Sequence, residues 1–285
     1  MLRPDEDDQS LKTLMWLRRV ESLPPFPAVV QETLALLDSD RSSASDIGKV
    51  VSKDEAITAK ILRVVNSAFY GARGRVTTIS HAVTLLGFQQ LRMVIMGVVL
   101  LDKDQSRDPS VTWNRKAIWE HSSASARWAQ ELALATKYPS AEEASVAGLL
   151  HDVGKIVLGT STPREFTEAV ALASTSELAS WEAEDRVIGF NHVEAGRMVA
   201  ERWRFPAIIH ETIALHHSPW SLSAPPAELG GTRLKHLVGI VQTANTAAKE
   251  SLAELPPSDG QELSFPITPQ RLSEKAAEID LLLRM

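Results

Sequence analysis

Apolar residues recur every three or four positions along most of this chain of 285 residues, which is the spacing of one face of an α-helix. In the first third, the pattern predicts a helix over 11–21 and several short helices between Phe26 and Leu101. In the rest, it predicts helices over 112–136, 142–150, 163–174, 177–187, 192–203, 206–217, 233–250 and 268–284. No segment of useful length alternates with the period of a β-strand, so the expected fold class is all-α.

Capping residues indicate where several of these helices begin. Ser45 is expected to cap a short helix and Asp54 to open the next one. Thr78 can cap a longer helix that Gly87 interrupts, because glycine disfavours a helix interior. Thr268, followed by a proline at the first helical position, is expected to start the last helix.

A polar stretch at about 102–110 divides the predicted helices into two groups, and we expect two lobes. The predicted organisation has four parts: a disordered acidic N-terminus over 1–10, an N-terminal helical lobe over 11–105, a larger helical lobe over 106–250, and a C-terminal tail with one helix over 251–285. The larger lobe carries the candidate chemistry described below.

Composition excludes several classes of protein. There is no cysteine, so disulfides and thiolate metal sites are ruled out. The first residues are acidic and lack the apolar core of a signal peptide, and the longest apolar run, over 93–101, is too short to span a bilayer. We therefore expect a cytoplasmic protein without a membrane partner. The formal net charge of −6 argues against nucleic acid as a partner.

A series of histidines marks the candidate site. His151 and Asp152 adjoin at the end of an apolar helical run, where a nitrogen and a charged oxygen can hold one divalent ion from two directions. Taken alone, this pair is better explained as a buried histidine that is hydrogen-bonded to its neighbouring carboxylate. His81, His210 and His236 are expected to be surface, flanking or satisfied core residues. The other histidines fall in order along apolar-periodic stretches and strengthen the metal hypothesis: His121, His192, His216 and His217.

The order His, His-Asp, His, His-His resembles that of the metal-dependent phosphohydrolases of the HD superfamily, in particular the HD-GYP branch. The first third is closer to the related HDOD family, through LPPFP at 23–27 and the specific segment LRVVNSAFYG at 62–71. This likeness runs from about residue 17 to 250. It implies an all-helical fold with a small N-terminal bundle and a larger HD-like bundle, and a regulatory role in bacterial signalling. Many HDOD proteins have lost HD metal ligands.

Carried over residue by residue, the HD-GYP resemblance implies that the metal ligands are His121, His151, Asp152, His192, His216 and His217, with Asn245 at the place of a final aspartate. Two positions depart from the HD-GYP pattern. Ala117 stands where that pattern has a glutamate one helical turn before the first histidine, and Asn245 offers only a neutral oxygen. The GYP motif is also absent, which removes the main reason to expect cyclic di-GMP as a substrate.

Five histidines with one carboxylate favour iron, manganese, cobalt, nickel or zinc over magnesium or calcium. One or two ions are expected, and Asp152 could bridge two of them. Lys155, four residues beyond His151, is a candidate catalytic residue that could contact a phosphate. A solvated lysine at a helix end explains it equally well.

Between residues 56 and 101 the chain has no acidic residue, although five basic residues fall there: Lys60, Arg63, Arg73, Arg75 and Arg92. This basic stretch could dock an acidic partner or another anion. Ordinary solvated charge is the favoured explanation. A homo-oligomer is a further interaction that the sequence leaves open.

Two functions stay open at this point. The favoured one is a regulatory, HDOD-type signal-transduction module with a histidine-rich metal site, which acts through signalling proteins rather than as an enzyme. The alternative is a metal-dependent phosphohydrolase of a nucleotide or another phosphoester. Ala117, Asn245 and the missing GYP motif favour the first function, whereas the retained histidines favour the second.

Overall fold

A computed structural model describes residues 28–37, 39, 41–66, 76–101, 113–203, 205–218, 231–253 and 267–284. All regular secondary structure in these segments is α-helical, which confirms the expected fold class. The N-terminus over 1–10, the helix over 11–21 and the divide over 102–110 fall outside the described segments and stay predictions. No helix in the described part of the chain is long and apolar enough to cross a membrane.

The first group of helices is α1 Ala28–Leu37, α2 Ala44–Val51, α3 Glu55–Asn66 and α4 Ile79–Leu101. Ser43 caps α2, so the expectation for Ser45 was wrong. The hydroxyl of Ser43 accepts from the N–H of Asp46, and the Asp46 carboxylate accepts from the N–H of Ser43. Ser43, unlike Ser45, is followed three positions later by an acidic residue. The reciprocal pair of hydrogen bonds is a capping box. Asp54 opens α3 as expected and accepts from the N–H of Ile57.

The end of α3 is bonded to the residues just before α4 by the asparagine of the HDOD-like segment. The side chain of Asn66 accepts from the N–H of Val76 at 2.7 Å and donates to the carbonyl of Val76 at 2.6 Å. Thr78 then caps α4 by accepting from the N–H of His81. Gly87 has φ 79° and ψ 168°, a conformation that glycine adopts readily, and it kinks α4 at the predicted position.

Buried aliphatic side chains of α1 to α4 form one hydrophobic cluster, which includes Ile47, Ile61, Ile79, Leu91 and Ile95. Arg92 on α4 is also buried, at 6% exposure, and its guanidinium donates to the carbonyl of Trp203. Arg92 is therefore not part of an exposed basic surface. Lys60 is half-buried and Arg63 is exposed, whereas Arg73 and Arg75 fall outside the described segments.

The second group of helices is α5 Arg115–Ala135, α6 Ala141–Leu150, α7 Val153–Ser161, α8 Pro163–Thr175, α9 Ser180–Ile188, α10 His192–Arg202, α11 Ala207–Leu215, α12 Gly231–Ala253 and α13 Pro269–Arg284. Helix α5 packs against α6 and α12, and α10 packs against α7 and α11. Their shared core includes Trp128, Leu132, Leu158 and Phe166. Thr268 caps α13 as expected, accepting from the N–H of Arg271.

Helix α7 was missed by the sequence analysis. It contains two glycines and two valines within nine residues, all of which have low helix propensity. It forms because it is buried along most of its length, against α8 and α10 and beside α4. The first group of helices meets the second here, since Gly97 of α4 faces Leu149 and Leu150 at the end of α6. The lobe boundary at 105/106 itself stays a prediction.

Candidate metal centre

The junction of α6 and α7 places His151 and Asp152 inside the helical bundle. His151 ends α6, and Asp152 begins α7 directly after it. Glycines on both sides let the two helices approach their neighbours closely. A Cβ at Gly148 would come within 2.8 Å of a backbone carbonyl of α5, and a Cβ at Gly154 within 1.8 Å of the carbonyl oxygen of His192. The glycines that flank the pair in sequence thus allow its burial.

Four imidazoles surround the carboxylate of Asp152. On one side, the Nε2 atoms of His192 and His216 lie 3.3 and 3.5 Å from Oδ1. On the other side, the Nε2 atoms of His151 and His121 lie 3.4 and 3.6 Å from Oδ2. These residues come from α5, from the α6–α7 junction, from the start of α10 and from the end of α11. Helices far apart in sequence therefore meet at one carboxylate.

His217 joins the same group through its ring, whose centroid lies 4.2 Å from that of His216 and 5.1 Å from that of His192. We call the five rings around Asp152 the histidine cluster: His121, His151, His192, His216 and His217. Their ligand atoms fall into two sets that share Asp152. One set is Asp152 with His192, His216 and His217, the other is Asp152 with His121 and His151, and the atoms of each set lie within 4.8 Å of one another.

Hydrogen bonds on the outer side of the rings decide which nitrogen faces Asp152 with a lone pair. The Nδ1 of His151 lies 2.8 Å from the carbonyl of Gly148, and that of His216 lies 2.7 Å from the carbonyl of Ile213. A carbonyl can only accept, so Nδ1 carries the hydrogen in each neutral ring. Each Nε2 then presents a lone pair to a carboxylate oxygen. A cation between them would turn this repulsion into ligation.

His192 is held differently, by Glu184 of α9. One oxygen of Glu184, Oε2, lies 2.6 Å from the His192 Nδ1 and 2.7 Å from its backbone nitrogen. Burial raises the pKa of Glu184 to about 7, against the opposing effects of Lys155 and of the His192 N–H. Asn191 fixes the start of α10 because its side chain accepts from two backbone N–H groups of the first turn. Glu184 was not among the residues predicted from the sequence.

Burial keeps most rings of the histidine cluster neutral. It lowers the pKa of His121 to about 3 and that of His217 to about 2. It also lowers the pKa of His216, and it holds that of His192 well below its ordinary value. Neutral imidazole is the form that binds metal, because protonation would occupy the lone pair.

Asp152 remains ionised in this buried position. Burial alone would raise the pKa of Asp152, but the positive charge of Lys155 opposes it, and the pKa lies well below its usual range. The ammonium of Lys155 lies 2.6 Å from Oδ2 of Asp152. The predicted candidate catalytic lysine therefore contacts the central carboxylate.

A second lysine, which the sequence analysis did not single out, is close enough to respond to both charges. Loss of hydration and then Lys155 lower the pKa of Lys249, whereas Asp152 raises it.

Several buried polar atoms of the histidine cluster and of Asp152 have no hydrogen-bond partner: Nε2 of His151, His192, His216 and His217, and Oδ1 of Asp152. The side-chain oxygen of Asn245 on α12 is likewise buried without one. Burying so many unsatisfied groups is costly unless a ligand pairs with them. Nitrogen lone pairs and oxygens are donors to a cation, so the residues fit a transition-metal ion. Asn245 lies on α12 and Ala117 on an exposed position of α5, so the two departures from the HD-GYP pattern stand on different helices.

Comparison with known proteins now identifies the chain. The family model of the HDOD domain matches residues 23–219. The chain belongs to the HDOD family. This confirms the resemblance that the segments at 23–27 and 62–71 carry.

Solved structures agree with the HDOD fold. This HDOD protein is similar to an HDOD domain protein of unknown function from Geobacter sulfurreducens, with a TM-score of 0.63 and 24% identity over 95% of this chain and 92% of that one. It is also similar to a Shewanella amazonensis protein whose name proposes a phosphohydrolase, with a TM-score of 0.67 and 22% identity over 95% and 88% of the two chains. At such identities the likeness concerns the fold alone.

A curated relative, an uncharacterized protein of Treponema pallidum (strain Nichols), is 26% identical over 239 residues, which are 84% of this chain. The HDOD protein spans 44% of the length of that relative. The relative is therefore a longer chain that contains a region similar to this one.

The remaining histidines of this HDOD protein stand apart from the cluster, as expected. His81 is exposed at the start of α4. His210 pairs with the carboxylate of Glu211 at 3.1 Å. His236 bonds through Nε2 to the hydroxyl of Thr136 at 2.8 Å. The separation of these three from Asp152 leaves the cluster as a distinct group of five rings among the described histidines.

Proposed function

We propose that this HDOD protein is a regulatory module whose second group of helices is tied together by a divalent transition-metal ion, and that it acts through protein partners. The observation that carries the metal part is the approach of four Nε2 atoms to within 3.3–3.6 Å of the Asp152 carboxylate. In His151 and His216 the outer hydrogen bond turns the Nε2 lone pair inward.

The proposed ligands are the residues expected from the sequence: His121, His151, Asp152, His192, His216 and His217, with Asn245 as a further oxygen donor. Imidazole with one carboxylate suits iron, manganese, cobalt, nickel or zinc. An ion bound to Asp152, His192 and His216 would link the α6–α7 junction, α10 and α11. The unfolded chain cannot present these ligands together, so metal binding would stabilise the fold.

The partner part of the proposal rests on charge segregation along the basic stretch over 56–101. Arg63 is exposed on α3, whereas burial removes Arg92 from any surface. We propose that an acidic signalling protein docks through Arg63, Arg73 and Arg75. Replacing Arg73 and Arg75 by glutamate should then weaken association most at low ionic strength, where charges are least screened. Association that does not respond to these substitutions would remove this part.

Elemental analysis tests the metal part directly. The purified protein is stripped with a chelator, reloaded with each of the five metals and analysed, and its melting temperature is recorded with and without metal. We expect at least one bound ion per chain and a higher melting temperature in the loaded protein. Asp152→Asn, which keeps the side-chain shape, should lose both effects. Asp280→Asn, on the exposed face of α13, is the matched control.

Failure of the wild-type protein to retain any of these metals after reloading would refute the metal centre. Retention without a change in melting temperature would refute the stabilising role alone.

The second candidate function is a metal-dependent phosphohydrolase. The observation in its favour is that two sets of ligands share Asp152, because two-ion phosphoester hydrolases use a bridging carboxylate geometry of this kind. Bound divalent ions would supply neutralisation of charge on the phosphoryl oxygens. Against it stand Ala117 and Asn245, which lack the carboxylates of the HD-GYP pattern.

A further inference from the structure

The two oxygens of the Asp152 carboxylate have different partners. Oδ2 accepts from the ammonium of Lys155 at 2.6 Å, whereas Oδ1 is buried without a hydrogen-bond partner. A contact this short between an ammonium and a carboxylate is a strong, charge-assisted hydrogen bond. The carboxylate is thus already paired with a cation on one side and unpaired on the other.

The position of Lys155 is set by the fold. Lys155 lies in the first turn of α7, three residues after Asp152, and α7 is buried on both sides of it. Its side chain is 15% exposed, so the ammonium points into the bundle rather than to solvent. The same Oδ2 faces His121 and His151. The lysine therefore stands at the oxygen that an ion in the His121–His151 set would need.

Charge balance favours a single ion. Within the described part of the chain, Asp152 is the one carboxylate that belongs to either set of candidate ligands. A first divalent ion would contact the carboxylate of Asp152. The carboxyl group of Glu184 would stand behind one of its ligands, His192. A second ion would find no further anionic ligand and would lie beside the ammonium of Lys155, which repels it.

We infer that the Lys155 ammonium takes the place of a second cation, so that the chain holds one divalent ion on the Oδ1 side of Asp152. The ligands of that ion are Asp152, His192, His216 and His217, while His121 and His151 line the side filled by the lysine. This inference rests on the proposed metal centre. Lys155 would then determine how many metal ions the chain binds, and it would not serve to contact a substrate phosphate.

Metal stoichiometry in full-length variants tests the inference. Stripped protein is dialysed against manganese, and the ions per chain are counted by elemental analysis. Electron paramagnetic resonance then distinguishes a single manganese ion from a spin-coupled pair. Lys155→Met keeps the length of the side chain and removes its charge. Lys249→Met removes a similar charge close to Asp152, but no hydrogen bond or ion pair of Lys249 occurs in the described residues.

We expect one ion per chain in the wild-type protein and in Lys249→Met, and two coupled ions in Lys155→Met. Two ions in the wild-type protein would overturn the inference but leave the metal centre standing. One ion in Lys155→Met, or two in Lys249→Met, would also overturn it. No ion in the wild-type protein would remove the metal centre itself, so the two failures can be told apart.

A second pair of variants covers the case in which Lys155→Met does not fold. His217→Ala should lower manganese affinity by at least tenfold, because it removes a direct ligand. His210→Ala should leave the affinity within about twofold, because that ring pairs with Glu211 outside the histidine cluster. An unchanged affinity in His217→Ala would overturn the assignment of the ion to the Oδ1 side.

Discussion

Oε2 of Glu184 faces two nitrogens of His192, the ring Nδ1 at 2.6 Å and the backbone nitrogen at 2.7 Å. The two contacts fix both the start of α10 and the orientation of the ring, so that Nε2 points at Asp152. His151 and His216 use neutral carbonyl groups for the same purpose. Glu184 therefore places a carboxyl group, whose pKa burial raises to about 7, behind one ring of the histidine cluster.

Replacing Glu184 by glutamine should weaken metal binding. A partner of this kind orients the ring and raises its basicity, and its loss typically costs about 10–100-fold in metal affinity. Competition with a chromophoric chelator measures the affinity, and the visible spectrum of the cobalt form reports the ligand field. Glu201→Gln, an exposed change on the same helix as His192, is the control.

An unchanged cobalt spectrum together with an unchanged affinity in Glu184→Gln would contradict this positioning role. A loss of folding stability without a change in affinity would assign Glu184 to the packing of α9 against α10 only.

The histidine cluster could be predicted from the sequence because its members carry a rare ring and follow one another in a recognisable order. Glu184 could not, because it is one of 36 acidic residues and lies on a different helix from its partner. Lys249 was not predicted either, because it too lies on a different helix from the carboxylate that it interacts with, Asp152. Lys155 was singled out, but only three-dimensional packing reveals that its ammonium turns back to the Asp152 carboxylate.

Two glycine-to-alanine substitutions should have opposite effects. At Gly154 an added Cβ would lie 1.8 Å from the carbonyl of His192, so α7 and α10 must separate. Overpacking of this kind costs about 1–3 kcal/mol or more. At Gly97 the nearest atom, a methyl group of Leu149, is 3.5 Å away, which is an ordinary contact. Alanine there should stabilise by up to about 1 kcal/mol through helix propensity.

Urea unfolding measures both free energies, and metal affinity measured in parallel should fall only in Gly154→Ala. If Gly154→Ala raised the free energy of unfolding as much as Gly97→Ala, α7 and α10 would separate without cost.

The contact between α5 and α12, which carry His121 and Asn245, includes a buried hydrogen bond between side chains. The indole N–H of Trp128 donates to the hydroxyl of Ser251 at 3.0 Å. Ser251→Ala leaves that N–H unsatisfied and should lower the free energy of unfolding by about 1–3 kcal/mol. Thr246→Ala, an exposed change on the same helix, should stay within about 0.5 kcal/mol of the wild-type value. Similar losses in both variants would show that the indole finds another partner.

Helix starts were predicted correctly at Asp54, Thr78 and Thr268, where a side chain caps the backbone, whereas the cap at Ser43 was wrongly expected at Ser45. Helix α7 was not, because its stability comes from burial rather than from local propensity. Arg92 illustrates the same limit. Its charge suggested an exposed position on a docking surface, yet the folded chain buries it, and its guanidinium donates to the carbonyl of Trp203.

Phosphodiester hydrolysis separates the two candidate functions. We expect protein reconstituted with iron, manganese, cobalt or nickel to hydrolyse cyclic dinucleotides, linear dinucleotides and an aryl phosphodiester no faster than its Asp152→Ala variant. A two-ion mechanism needs both ions to support the attacking and leaving oxygens. Ala117 and Asn245 lack the two carboxylates of the HD-GYP pattern, and Lys155 opposes a second cation. Each ~1.4 kcal/mol of lost transition-state stabilisation lowers the rate tenfold.

The comparison with Asp152→Ala matters because trace hydrolases contaminate purified proteins and would act equally in both samples. Rates of roughly 1 s⁻¹ or more are typical of enzymes, and such turnover, if it disappears in Asp152→Ala, would establish the phosphohydrolase function. Restoring the missing carboxylates provides the converse test. Adding Ala117→Glu and Asn245→Asp to Lys155→Met removes the opposing charge and supplies two anionic ligands. If activity rises only in this triple variant, the native residues at 117, 155 and 245 are what keep the wild-type centre from hydrolysing phosphodiesters.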